Sequence, residues 1–439
     1  MEPEEAKALC PLDGRYRGRI GTLLDDFSEF GQTRLRVKVE VAYLRFLGSL
    51  LGFDVPPTHW LSTFSVKDFG AIKDIEALTN HDVKAIEMWV VSKLPKDMDH
   101  LTPWIHFGLT SQDVAGTAYA LALKDFTGRF VSMVGRVVDV LGRLALDQPS
   151  MAMLGHTHGQ AATPTTMNSE LYVFRARLMA LLDDRKDLKS MTKFGGAVGK
   201  LNAHRAAFPA MEWPRHMDAF VESLGLTREQ ATTQISSYDA FAKTFHWMTR
   251  VATVMIDLCR DLWLYLSKGY LTLTTKKEEV GSSTMPHKVN PMHFENAEGN
   301  FELGSVILAF LALRLPRSRL QRDLTDSTLC RSIGTGLGHL VVGLTSLLRG
   351  LDRVVFCYGQ SSDALNGSPQ VLAEAYQTIL RREGFGDAYG RLKTLTRGHE
   401  VKISLAEMHD WVDSQDDFPL GLKAELKALT PQTYLGYTL

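Results

Sequence analysis

Cysteine is scarce in this chain. Cys10, Cys259, Cys330 and Cys357 are the only four among 439 residues, with no CxxC pair and no short spacing to a histidine. Zinc frameworks and disulfide scaffolds need such spacings, so both are excluded and the thiols read as reduced, cytoplasmic ones. An excess of one charge sign is also lacking: 49 Lys plus Arg face 50 Asp plus Glu, a formal net charge of −1. A binder of nucleic acid or of an anionic membrane surface needs a basic surplus, so neither partner is expected. No long apolar run occurs; the longest, Val306 to Leu313, is far short of the roughly 18 residues of a membrane span. The opening Met1-Glu2-Pro3-Glu4-Glu5 is acidic, which predicts a chain without a signal peptide. Alternating runs bounded by hairpin turns are scarce, and no repeat of fixed period appears, which excludes a solenoid.

What is present is helical periodicity. Hydrophobic residues make up 45% and charged residues 23%, enough to bury a large core, and at about 150 residues per domain the length suits about three units. Met248, Val251, Met255, Leu258, Leu262 and Tyr265 recur at spacings of three and four, with Trp247 and Val254 adding a second stripe. Leu171, Phe174, Leu178, Leu181, Leu188 and Met191 form a similar row, as do Leu337, Leu340, Leu344, Leu347, Leu351 and Val354, and more weakly Val134, Val138, Leu141 and Leu144. Such rows predict long helices packed in a bundle, and stripes on two faces predict partner subunits that complete it. The boundaries suggest an N-terminal helical domain over 1–110, a central long-helix domain over 111–355 and a small helical domain over 356–439.

Two glycine-rich stretches imitate nucleotide loops. Gly195-Gly196-Ala197-Val198-Gly199-Lys200 lacks the glycine and hydroxyl of a phosphate loop, and Gly334-Thr335-Gly336-Leu337-Gly338 has the wrong spacing for a dinucleotide fingerprint. Both read as turn or close-packing glycines. His156 and His158 alone, without a third ligand, do not make a metal site.

The most informative stretch is Gly281-Ser282-Ser283-Thr284-Met285-Pro286-His287-Lys288-Val289-Asn290-Pro291. Taken by itself it also reads as an exposed connector, with Asn290 as the N-cap of a following helix and Pro291 in its first turn. Yet two hydroxyls, an ammonium and a helix start in one loop suit a carboxylate-bearing substrate. The run resembles the G-S-S-x-M-P-x-K-x-N-P signature of the fumarase/aspartase superfamily and matches it at every fixed position. That resemblance implies elimination of a group beta to a carboxylate, with Ser282 as general base and Lys288 and Asn290 gripping substrate carboxylate.

Further motifs resemble the adenylosuccinate lyases within that superfamily, in particular the bacterial type. His156-Thr157-His158-Gly159-Gln160-Ala161-Ala162-Thr163-Pro164 is similar to their T-H-G-Q-P-A-T-P, which implies His158 as the general acid at the leaving nitrogen. Asp13-Gly14-Arg15-Tyr16, on its own a turn, is similar to D-G-R-Y, which implies Arg15 and Tyr16 on a nucleotide phosphate. Asn80-His81-Asp82 is similar to N-H-D, implying that His81 supports the general acid and that Asn80 and Asp82 line the substrate. Thr110 and Ser111, followed by Asp113, are similar to T-S-x-D and imply succinyl carboxylate contacts; Thr232-Thr233-Gln234 is similar to T-T-Q, with Gln234 on substrate. Gln321 to Arg331 is similar to Q-R-D-L-T-D-S. Ser327 and Arg331, four apart, share a helical face with Arg322 just upstream. Two guanidinium forks and a hydroxyl suit a phosphate. Asn296 matches a further substrate contact.

The resemblance implies an all-α, three-domain fold whose long-helix core is completed by homotetramerisation, with each site shared between chains. It implies a nucleotide substrate, release of fumarate from adenylosuccinate and from SAICAR, and no metal or organic cofactor. Departures from the pattern are Ala161 for proline, Asn168-Ser169 for Gly-Lys, Lys200 for asparagine, and Ala115-Gly116 where polar residues are common. Rival readings are a lyase of the same fold acting on argininosuccinate, a non-enzymatic structural protein that kept the fold, and a helical binding module.

Overall fold

A computed structural model describes residues 7–55, 57–58, 63–146, 149–275, 285, 287–396 and 403–437. The helices that matter for the site are α1 (Glu29–Leu51), α2 (Val66–Thr79), α3 (Asp82–Ser92), α4 (Ser111–Leu146), α5 (Met167–Asp184), α6 (Asp239–Ser267), α7 (Met292–Arg314), α8 (Thr325–Cys330) and α9 (Ile333–Leu351). Two compact units emerge: residues 1–134, 181–256 and 297–345 form one, and 135–180, 257–296 and 346–439 form the other. No helix among the described residues is long and apolar enough to cross a membrane.

The periodic rows are the buried faces of these helices. Met248, Val251, Met255, Leu258 and Leu262 of α6 are fully buried, as are Leu337, Leu340, Leu344 and Leu347 of α9. Two rows run past their helices. α5 ends at Asp184, so Leu188 and Met191 lie beyond it, and Val354 lies in a short strand after α9. The three-and-four spacing continues by coincidence there, because an apolar residue in an adjoining turn or strand also faces the core.

In the first unit, Val37, Val41 and Leu44 of α1 pack on Ile72 of α2 and on Ile86, Trp89 and Val90 of α3. The links are short and chemically defined. Ser65 caps α2 reciprocally with Asp68, and Asn80 ends α2 in the left-handed region at φ 52°, a conformation that asparagine tolerates better than most residues. His81 then caps α3, its Nδ1 accepting from the Lys84 amide at 3.1 Å, and Asp82 supplies the negative charge favoured in a first turn.

The second unit contains a β-hairpin, β1 (Ala152–Thr157) and β2 (Gln160–Thr166), in antiparallel register with Thr157 opposite Gln160. This is a feature the sequence reading did not foresee. The two-residue turn is His158-Gly159, with φ of 53° and 72°, the positive values that a tight hairpin turn requires at both positions. Asn168 clamps the hairpin base: its Oδ1 accepts from the Met151 amide at 3.0 Å and its Nδ2 donates to the Ala145 carbonyl at 2.7 Å. The departure at this position is therefore a built structural bond. The same unit holds a small helical cluster around Tyr376, Leu380, Met408 and Leu426.

On α7, Leu303, Val306, Phe310 and Leu313 form an exposed row, 53% to 70% accessible. Their three-four-three spacing is that of a helix-packing seam, left uncovered by the described residues of the single chain.

Candidate active site

The first unit contains a cavity of about 290 Å³ lined by polar and charged side chains from five places in the chain, the fifth being Tyr238 just ahead of α6. Asn80, His81 and Asp82 come from the α2–α3 link, Ser111 and Gln112 from the start of α4, Arg36 from α1, and Arg322, Ser327 and Arg331 from in and around α8. Seven residues singled out from the sequence thus share one cavity: Asn80, His81, Asp82, Ser111, Arg322, Ser327 and Arg331.

Each is held by local chemistry. Because His81 Nδ1 accepts from a backbone amide, the neutral ring carries its proton on Nε2, which lies 3.5 Å from Ser111 Oγ. Asp82 is gripped by Arg36, Nη1 to Oδ2 at 2.7 Å, and by the Val83 amide at 2.8 Å. Burial pushes the Asp82 carboxyl up, but the Arg36 charge and these bonds outweigh it and hold the group below the usual carboxylate range. Arg322 donates from Nη2 to Ser327 Oγ at 3.1 Å and from Nη1 to Gln234 Oε1 at 3.4 Å, with its Nε 3.7 Å from Asp326. Ser327 Oγ also accepts from Gln112 Nε2 at 3.4 Å. Arg331 differs: it is exposed, and no hydrogen bond or ion pair joins its guanidinium to another described residue. It also lines an adjoining space of about 280 Å³ bordered by Cys10, Leu12 and Asp13, which brings the Asp13-Gly14 turn beside it.

The other named residues stand elsewhere. Arg15 is exposed on that N-terminal turn, and the Tyr16 ring lies under the Arg19 guanidinium at 5.3 Å. Thr110 donates its amide to Asp113 Oδ2 at 2.8 Å, securing the start of α4. Gln234 does not line the cavity but orients Arg322, while its Nε2 donates to the Ala197 carbonyl at 3.1 Å. His158, Lys288, Asn290 and Asn296 belong to the second unit and are not among the cavity's lining residues. His158 is exposed at its turn, and Lys288 is exposed ahead of α7. Asn296 Oδ1 accepts from Ser346 Oγ at 2.6 Å. The first helical bonds of α7 go to the Pro291 carbonyl, one residue beyond the cap expected at Asn290. Ser282 lies outside the described residues, as do Gly281, Ser283, Thr284 and Pro286.

Sequence reasoning missed Arg36, Gln112, Tyr119 and Tyr238, which also line the cavity. Burial pushes the Tyr119 hydroxyl up to about 12 and the Cys330 thiol likewise to about 12, so both stay neutral walls. Ala115, one of the departures, is a wall residue too, and presents a methyl group there. The glycine run at 195–199 is a turn, as its composition suggested: Gly196 and Gly199 both have φ of 74°, and a Cβ on Gly199 would clash with the Thr232 carbonyl.

Comparison with known proteins places this geometry in a family. A family profile described as "Lyase" matches residues 60–307, and one described as "Adenylosuccinate lyase C-terminal" matches residues 318–435. The chain is 40% identical to the adenylosuccinate lyase of Dictyostelium discoideum, over 98% of this chain and 96% of that one. It is 37% identical to the enzyme of the same name from Escherichia coli K12, over 99% and 98%. In fold it is similar to the crystal structures of 3-carboxy-cis,cis-muconate lactonizing enzyme from Pseudomonas putida, TM-score 0.77 at 21% identity covering 94% of each chain, and of a fumarate lyase from Mesorhizobium sp. BNC1, TM-score 0.76 at 18% identity covering 94% and 95%. With relatives at such identity along nearly its whole length, and the C-terminal profile spanning Arg322, Ser327 and Arg331, the chain belongs to the adenylosuccinate lyase family.

Proposed function

We propose that the chain catalyses elimination of fumarate from adenylosuccinate, giving AMP, and from SAICAR, giving AICAR. The observation that carries this reading is the cavity in which Ser111, Arg322, Ser327 and the unpaired Arg331 meet. A cation without a protein partner, beside a second guanidinium already hydrogen-bonded to a hydroxyl, suits a phosphate monoester. Arg15 and Tyr16 complete the phosphate contacts in this reading. Thr110, Ser111, Asn80, Asp82 and Asn296 take the remainder of the substrate, and Gln234 acts on it through Arg322. An argininosuccinate substrate has no phosphate to satisfy Arg331.

In the reaction Ser282 removes a proton from the carbon beside a succinyl carboxylate. The C–N electron pair leaves with nitrogen, which takes a proton from His158, and His81 supports that acid. The intermediate carries two negative charges on the carboxylate. Lys288 and Asn290 would grip those oxygens in this reading and stabilise the intermediate more than the ground state. A serine hydroxyl is a weak base at neutral pH, so in this reading Lys288 and a water-excluding site would have to hold it as alkoxide. Acid, base and hydrogen-bond donors balance every atom of this step.

The three-domain division and a homotetramer with shared sites belong to the same proposal. The apolar row on α7 supports association with further copies of the chain. The direct test is loss of adenylosuccinate absorbance with fumarate identified as product, and no turnover of argininosuccinate; the reverse preference would refute the assignment. Arg331→Ala should raise KM for adenylosuccinate by about tenfold or more while kcat changes little, since the lost contact is made in ground and transition state alike. An unchanged KM would remove Arg331 from the phosphate site.

A further inference from the structure

One buried ion pair lies just behind the cavity wall. Lys193 Nζ is 2.7 Å from Asp113 Oδ1, and both side chains are 1% exposed or less. Lys193 also donates to the Gly196 carbonyl at 2.6 Å. Asp113 accepts from the Gly195 amide at 2.7 Å, the Gly196 amide at 3.2 Å and the Thr110 amide at 2.8 Å. Desolvation pushes the Lys193 ammonium down, with the Asp113 charge opposing it. Burying two charges is costly, and a pair of apolar residues would often serve stability as well. The pair therefore asks for a reason beyond stability.

The hydrogen bonds supply one, because they close into a ring. Asp113 and Lys193 fix the 195–197 turn against the start of α4; the Ala197 carbonyl on that turn receives Gln234. Gln234 receives Arg322, Arg322 donates to Ser327, and Ser327 receives Gln112, the neighbour of Asp113 on α4. Arg322, Ser327 and Gln112 face the cavity; Asp113, Lys193 and Gln234 do not line it. We infer that Lys193 and Asp113 are positioning residues for the elimination: their buried pair sets the turn that holds Gln234, and through it the guanidinium and hydroxyl that bind the substrate's anionic group. The inference rests on the phosphate reading of Arg322 and Ser327 given above.

Lys193→Met keeps the length of the stem and leaves Asp113 with its three amide donors, so the carboxylate loses its counter-charge but stays hydrogen-bonded. In the full-length enzyme this variant is expected to raise KM for adenylosuccinate and the inhibition constant of AMP about tenfold each, with kcat held within about threefold. In a Ser327→Ala background, where the ring is already open, the same substitution should add less than about twofold. Unchanged constants, a loss confined to kcat, or the full effect persisting alongside Ser327→Ala would each overturn the inference. Should circular dichroism show that Lys193→Met does not fold, Gln234→Leu opens the ring at a less buried link. It should give the same raised constants and the same non-additivity, and simple additivity would overturn the inference. Arg331 lies outside the ring. If Arg331→Ala raises KM and Lys193→Met does not, the ring fails and the phosphate reading stands; if neither raises it, both fail.

Discussion

Ser282→Ala is expected to lower kcat by about 10³- to 10⁴-fold while AMP still binds. The size follows from what is removed. The proton beside a carboxylate is a very weak acid, and alanine at this position leaves no oxygen to take it, while neither Lys288 nor Asn290 offers a base in place of an alkoxide. The phosphate contacts assigned to Arg322, Ser327 and Arg331 lie in the other unit of the chain and do not depend on the serine hydroxyl. Product binding should therefore stay within about threefold, as contacts made away from the missing atom persist. Fumarate release followed at high enzyme concentration, together with AMP titration, separates the two effects. A variant that keeps kcat within tenfold of the parent would exclude Ser282 as the base.

The second large effect is expected at His158, and the replacement must be chosen with the backbone in mind. His158 has φ of 53° at the hairpin turn. Alanine or a β-branched residue there adds backbone strain to the loss of the imidazole, whereas asparagine tolerates the left-handed region. His158→Asn should keep the hairpin and lower kcat by about 10²- to 10⁴-fold, the usual worth of a positioned general acid. KM should move little. Because the imidazole delivers a proton to nitrogen, a substrate analogue with a better leaving group should recover much of the lost rate in this variant. A loss that is the same for good and poor leaving groups would assign His158 to some step other than protonation.

The long helices were legible because burial along a helix is a local, periodic signal. The rows on α6 and α9 read off directly as fully buried faces. α7 was harder to read: Phe294, Ala297, Phe301, Leu308 and Leu311 are buried while Leu303, Val306, Phe310 and Leu313 are exposed, so apolar residues run round the whole helix and mark no single face. The hairpin is not legible because its strands are built largely from Thr, Ala, Gly and His, with Pro164 inside the second, and its turn puts histidine where asparagine is the usual sign. At the cavity, Arg322, Ser327 and Arg331 were legible from helical spacing together with a family motif. Asn80, His81 and Asp82 were legible from the motif, although each also ends, caps or begins a helix. Arg36 was not, since an arginine within an amphipathic helix reads as solvated until the fold brings Asp82 against it. The Asp113–Lys193 pair joins residues distant in sequence, and a lysine before Phe194 and two glycines carries no mark of burial.

The uncovered row on α7 has a thermal corollary. Contacts between aliphatic and aromatic groups are driven near room temperature by water entropy and carry a large heat-capacity change, so they weaken on chilling. If copies of the chain meet along Leu303, Val306, Phe310 and Leu313, dilute stocks held near freezing should dissociate and lose rate, then regain both on warming. Sedimentation at two temperatures would show it, and a particle of constant mass throughout would locate the seam's partner elsewhere.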